Sequence, residues 1–246
     1  MLRISQSQSG TSMPQVQGES ISFVRHTMIR AIVALLLLTA FCANSVDIAL
    51  ALPPPTSANS VEKFVPSGWE IESRVSGDLN QDDKADTAIV LRKMDQKLLS
   101  DGRNGNPRIL AVMFSSPAGH YDLISHSETL IPADDDPLME DRFSGIDIRK
   151  GNLYVAYHYW ASAGSWYTGN ATLTFRFQEE CFRLIGYDAN FMHRATLDES
   201  NTSINYVTGK EIRTTAGNED RRRRTSVKSN APKPLRCMRE IGNAFW

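Results

Sequence analysis

The sequence is short of cysteine, of net charge, of long apolar runs and of every compact catalytic signature. Three Cys in 246 residues, Cys42, Cys181 and Cys237, exclude a disulfide-dense miniprotein, and none forms a Cys-x-x-Cys pair. His120, His126, His158 and His193 have no His-x-x-x-His spacing, which leaves zinc without support. A formal charge of −1 excludes bulk attraction to nucleic acid. The 15 Gly and 11 Pro follow no period, which excludes a collagen-like or low-complexity fibre. No Gly-x-Ser-x-Gly elbow and no phosphate loop is present. What is present is a chain 41% hydrophobic, enough to bury a core.

The longest apolar run, residues 31–43, has thirteen residues and contains Leu35-Leu36-Leu37-Leu38. A span of a ~30 Å hydrocarbon core needs ~20. Arg25, His26 and Arg30 precede the run, and Ala49-Leu50-Ala51 stands just before Pro53-Pro54-Pro55. A basic flank, a short apolar core and a small-x-small site are the parts of a secretory signal peptide. The sequence therefore predicts an over-extended N-terminus over 1–27, a signal peptide over 28–51 starting at Met28, and a periplasmic or secreted chain from Leu52. Cys42 follows a stretch like a lipoprotein signal, but bulky Phe41 stands where a small residue is wanted. Cleavage after Ala51 removes Cys42 and leaves Cys181 and Cys237 as an even pair, expected as one disulfide in an oxidising compartment.

Beyond a Pro/Ser/Asn-rich linker at 52–63 come short β-like runs between turn residues: 69–75, 87–91, 109–114, 121–124, 146–148, 153–159, 173–177, 182–187, 204–207 and 211–213. Lys150-Gly151-Asn152 and Thr208-Gly209-Lys210 read as hairpin turns. Only 95–99 and 192–198 have room for short helices. The expectation is a mainly β fold: one antiparallel β domain, a sandwich or open barrel, over 64–215. Residues 216–246, with Arg221-Arg222-Arg223-Arg224, read as a polar basic loop and a C-terminal segment tied back by the disulfide.

The segment with chemistry in it is Gly77-Asp78-Leu79-Asn80-Gln81-Asp82-Asp83-Lys84-Ala85-Asp86. Alternate oxygen-bearing residues in a tight loop converge on one point, as a hard cation with six to eight oxygen ligands requires. Asp78, Asn80 and Asp82 would offer side chains, Lys84 its backbone carbonyl, and Asp86 would close the loop. The segment resembles the calcium loops of FG-GAP/VCBS-type β modules, which read Gly-Asp-Leu-Asn-Gly-Asp-Gly-x-x-Asp between two strands. The resemblance covers residues 77–91 and implies structural calcium. Asp83 departs from it, standing where the family has Gly at a sharp backbone turn. More loosely, Leu184-Ile185-Gly186-Tyr187-Asp188 and Ser203-Ile204-Asn205-Tyr206-Val207-Thr208-Gly209-Lys210 are similar to segments of an uncharacterised group of bacterial exported proteins, which implies no activity.

Tyr157, Tyr159, Trp160, Trp166 and Tyr167 crowd one stretch and form a candidate binding surface, since such rings stack on sugars or anchor protein interfaces. Asp134-Asp135-Asp136 with Glu140 and Asp141 lacks cation-loop spacing and reads as a solvated acidic loop. The reading of the whole is an exported, non-enzymatic binding or structural module with a calcium-stabilised loop, its partner an envelope protein or a glycan. The alternatives are an envelope hydrolase whose site is assembled from distant residues, and an inhibitor or immunity-type protein.

Overall fold

The computed structural model describes residues 55–217 and 222–242. The described residues all belong to one unit, within 52–246. The predicted leader, Cys42 and the cleavage site lie outside the described residues. No described helix is long and apolar enough to cross a membrane.

The strands in chain order are β1 (Ser57–Ala58), β2 (Trp69–Gly77), β3 (Asp86–Lys93), β4 (Leu99–Ser100), β5 (Arg103–Asn104), β6 (Arg108–Ser115), β7 (Tyr121–Ser127), β8 (Phe143–Arg149), β9 (Asn152–Tyr159), β10 (Tyr167–Gln178), β11 (Cys181–His193), β12 (Glu199–Asn205), β13 (Lys210–Ala216) and β14 (Arg223–Ser229). They form a five-stranded sheet, β1-β7-β6-β3-β2, and a seven-stranded sheet, β14-β13-β12-β11-β10-β9-β8, with β4-β5 as a small ribbon. All pairings are antiparallel. Of the two architectures allowed by the sequence, this is the sandwich.

The alternation of side chains along each strand decides what is buried. Ala88, Val90, Leu110 and Val112 on one face of β3 and β6 meet Leu153, Val155, Leu173, Phe175, Phe182 and Leu184 of the seven-stranded sheet. The opposite face of β3 and β6 carries Ile89, Leu91, Ala111 and Met113, covered by Val61 and Phe64. That explains why β3 reads as an unbroken apolar run: both of its faces are buried. The segment read as a linker is thus anchored. Ser57–Ala58 pairs with β7, and the 3-10 turn Val61–Phe64 plugs the core. Gly77, at the end of β2, has no side chain because a Cβ there would sit 2.6 Å from Ile148 Cγ2 in β8.

One end of the sandwich is closed by charge. Arg108 is 1% exposed. Its Nε and Nη2 donate to the Glu72 carboxylate at 2.7 and 2.9 Å, and Nη1 donates to Asp141 Oδ1 and the Pro132 carbonyl at 3.0 and 2.8 Å. Arg92, directly across from Arg108 on β3, donates to Asp141 Oδ2 at 3.0 Å. Glu72 reaches this position because β2 bulges between Ile71 and Ser73, which removes Glu72 from the ladder. Burial nonetheless pushes the Glu72 carboxyl up from its ordinary range. The acidic loop is therefore paired rather than merely solvated: Asp134 holds Arg103 at 3.2 Å and Glu140 faces His158 at 3.3 Å.

Two local expectations differ. Residues 192–198 are not helical, because β11 continues to His193 on its ladder with β10. The basic tail is not simply a loop: Arg223–Ser229 pairs with β13 as an exposed edge strand, where charged side chains discourage further pairing. Residues 230–236 then return to β11, where Leu184 N donates to the Arg236 carbonyl and the Cys181 and Cys237 sulfurs lie at disulfide distance, 2.02 Å. Met238 and Ile241 enter the core beyond it.

Two tests follow from this packing. Asp141→Ala leaves two guanidinium groups on one carboxylate, and urea unfolding should report a loss of about 3–5 kcal/mol; a loss below ~1 kcal/mol would mean the cluster is not a structural tie. Thiol labelling of denatured, unreduced protein should leave Cys181 and Cys237 unmodified. Reduction should then cost up to ~4 kcal/mol of stability.

Candidate functional site

The Gly77–Asp86 loop joins β2 to β3, and its backbone is left-handed at Gln81 (φ 65°) and Asp83 (φ 63°). Asp78 Oδ1 accepts from Gln81 N at 2.6 Å and Asp82 N at 3.2 Å, while Oδ2 accepts from Asp83 N at 3.1 Å. Asn80 Oδ1 accepts from Asp82 N and Asp82 Oδ1 from Lys84 N, two Asx turns in series. Leu79, between them, is buried in the sandwich core and pins the loop. Asp86 is fully buried; its two oxygens accept from Leu79 N at 2.8 Å and Ser115 N at 3.0 Å. Burial pushes its carboxyl above the ordinary range, so the charged form costs stability there unless something positive offsets it. The all-oxygen donor set fits a hard cation. Among the described residues, no group of three or more His, Cys, Asp or Glu side chains is gathered closely enough to hold an ion.

The structure divides the aromatic cluster. Tyr157 is not a surface residue: it is 1% exposed, in the core, and its hydroxyl donates to the Leu130 carbonyl at 3.0 Å. Alternation puts Tyr159 on the same inward-turned side, its ring 5.9 Å from Phe191. Trp160, Trp166 and Tyr167 frame the β9–β10 loop, and Trp166 and Tyr167 are 64% and 51% exposed. Arg194, just past β11, holds that loop. Its Nη2 donates to the carbonyls of Ala161 and Ser165 at 2.8 and 2.6 Å, and its guanidinium lies 5.1 Å from the Trp160 ring centre and 6.0 Å from that of Trp166. A planar cation between two indoles fixes rings that would otherwise be mobile.

A row of polar side chains runs across the outer face of the seven-stranded sheet. The pairings His158–Asn170, Asn170–Asn190, Asn190–Asn201, Asn201–Thr214 and Thr214–Thr225 put one residue of each strand in line. His158 Nδ1 lies 3.3 Å from Asn170 Oδ1, Asn190 Nδ2 donates to Asn201 Oδ1 at 2.6 Å, and the Thr214 and Thr225 hydroxyls are 3.2 Å apart. Thr172, Asp188 and Ser203 form the next row, and the two rows line an open hollow of about 380 Å³. The strands carrying them are long: β10 has 12 residues and β11 13, and their core residues run from Ala171 to Leu184, with Phe177 and Tyr187 packed against them. The Tyr167–Asn170 end of β10 and the Asn190–His193 end of β11 contribute nothing to that core. This row was not singled out by sequence, although Asn in three successive strands is unusual enough to have marked it.

Chemically the face offers amide and hydroxyl donors and acceptors beside flat rings. His158 Nε2 faces Glu140, and His193 Nδ1 accepts from Thr196 N at 3.1 Å, closing the turn after β11. The clamp is testable. Arg194→Ala should lose about 1.5–3 kcal/mol from its charged hydrogen bonds, together with the near-ultraviolet dichroism of the two indoles; Arg194→Lys should rescue little, lacking the planar fork. An unchanged indole signal in Arg194→Ala would show that the loop holds itself. Comparison of the chain with protein-family models, curated proteins and solved structures finds no match.

Proposed function

We propose that this chain is an exported, non-enzymatic binding module that grips a glycan of the cell envelope on the outer face of its seven-stranded sheet. The observation that carries this reading is the combination of Trp166, 64% exposed on the clamped loop that leads into β10, with the Asn170–Asn190–Asn201 row across β10–β12. Sugar rings present hydroxyls that need both donors and acceptors, and C–H faces that stack on indole. Side-chain amides and a fixed Trp supply both. The hollow is shallow and open, which suits holding a chain more than enclosing a reaction. The signal-peptide pattern and the paired cysteines support export.

The Asp78–Asp86 loop serves this module as a calcium-set turn. Asp78, Asn80, Asp82, the Lys84 carbonyl and Asp86 would hold the ion. When bound, it supplies positive charge that offsets the repulsion of three carboxylates and the burial of Asp86. The left-handed conformations of Gln81 and Asp83 support the resemblance, since both stand where the FG-GAP loop has Gly.

Retention of the purified protein on envelope polysaccharide and peptidoglycan fragments tests the binding reading. Trp166→Ala and Asn201→Ala should each weaken retention by about tenfold or more, as for a central anchor, while Met94→Ala, exposed just past β3 of the five-stranded sheet, should not. Retention on envelope proteins alone, indifferent to both variants, would reject it. For the loop, calcium should raise the melting temperature of chelator-treated protein, with ~2.7 kcal/mol gained at a free concentration 100 times Kd. Asp82→Ala should abolish that gain, and Gln81→Gly or Asp83→Gly should add about 1 kcal/mol by relieving the left-handed backbone. Identical melting with and without calcium would reduce the loop to a polar turn.

A further inference from the structure

The inner side of the seven-stranded sheet carries a second, different site. Residues 230–236 leave the end of β14, where Asn230 N donates to the Gly209 carbonyl, and cross back to β11. Between this strap and strands β11–β13 lies a half-enclosed cleft of about 580 Å³, within the ~300–1,000 Å³ of small-molecule sites. Its sheet side is Leu184, Ile204 and Tyr206, and its strap side includes Pro232, Pro234 and Leu235. Two prolines leave that wall without two backbone donors, so it is apolar even where it is main chain.

The charges at the cleft are unbalanced. Lys233 and Arg236 line it, and Glu211, the one acid lining it, has its carboxylate 3.5 Å from the Arg213 guanidinium. The one lining acid is therefore already paired, and the Lys233 ammonium has no carboxylate beside it among the described residues. Burial pushes the hydroxyls of Tyr187 and Tyr206 above the ordinary phenol range, so both stay neutral and add no negative charge. The strap is also held at both ends, by the Gly209–Asn230 bond and by the Cys181–Cys237 pair, while Arg183 Nη1 donates to the Leu235 carbonyl at 2.8 Å. The cleft is thus built into the fold and does not depend on the outer face.

We propose that this cleft binds a single-chain amphiphile with an anionic head, its apolar chain lying between Ile204, Tyr206 and the two prolines and its head against Lys233 and Arg236. An apolar slot ending in excess positive charge matches that chemistry and disfavours its cationic counterpart.

Calorimetric titration of the purified protein with decanoate, below its micelle concentration, tests this. Decanoate should bind one site per chain, and decyltrimethylammonium should bind at least about tenfold more weakly. Ile204→Trp should fill the cleft and abolish binding. Lys233→Glu changes only an exposed side chain, and should weaken decanoate about tenfold and favour the cation, which keeps the test decisive if the Trp variant fails to fold. Glycan retention by Lys233→Glu should be unchanged, so failure at this site and failure at the outer face are distinguishable. Equal binding of the two amphiphiles, decanoate binding unaffected by Lys233→Glu, or no decanoate binding at millimolar concentration would each overturn the proposal.

Discussion

A buried guanidinium sets the terms for this fold. Arg108 lies on β6, the strand at the middle of the five-stranded sheet, and is almost wholly removed from water. An isolated charge in that position would be prohibitive, so the surroundings must supply carboxylates and carbonyls in the right geometry. Glu72 comes from a bulge in β2. Asp141 and the Pro132 carbonyl come from the connection that carries the chain from one sheet to the other. That connection is thereby fixed at both ends: Leu130 and Ile131 are in the core, and Asp141 Oδ1 also accepts from the Phe143 amide at the start of β8. Every later strand takes its place from where β8 begins.

This arrangement divides the seven-stranded sheet by purpose. Its lower half, on β8–β11, is committed to the core, and Met238 and Ile241 complete it from the C-terminal side. The upper part of β10 and β11, with β12–β14, has no partner sheet to cover it. Strands that extend past their core normally expose apolar residues or fray. Here the outer face carries mostly Asn, Thr, Ser and Asp, with Ile212 and Val227 at its far side, the loop at its end is clamped by Arg194, and the inner face is bridged by the strap from β14. The polar row and the apolar cleft therefore lie on opposite sides of the same strands, as period-two alternation dictates. Calcium, in this account, acts at the other sheet, where Leu79 and Asp86 couple the β2–β3 loop to the core.

Most of the strand pattern was legible because burial on one face enforces alternation, as at Leu173, Phe175 and Phe177, and because the hairpin turns carry Gly at left-handed positions such as Gly151 and Gly209. The edge strand β14 was not legible: Arg223, Arg224 and Lys228 bury nothing, and their pairing to β13 leaves no apolar signature. Arg108 and Asp141 were hidden for a related reason. A charged residue that is fully paired inside a protein looks, in sequence, like one that is solvated. Tyr157 illustrates the opposite error, since a ring grouped by sequence with exposed neighbours turned out to face the core on its strand. The proposed binding face depends on six strands, β9–β14, aligning one side chain each, and register of that kind is set by tertiary pairing that local sequence does not specify.

The central claim is that the projecting part of the long sheet, and not the sandwich core or the loop, is where this protein meets its ligand. Amide hydrogen exchange of the protein with and without solubilised envelope glycan tests that most directly. The account predicts new protection confined to β10, β11 and β12 around Asn170, Asn190 and Asn201 and to the loop bearing Trp166, with β3 and β6 already slow and unchanged. Protection concentrated on β1–β7, or a bound glycan that leaves the Asn row and the Trp166 loop unprotected, would contradict it.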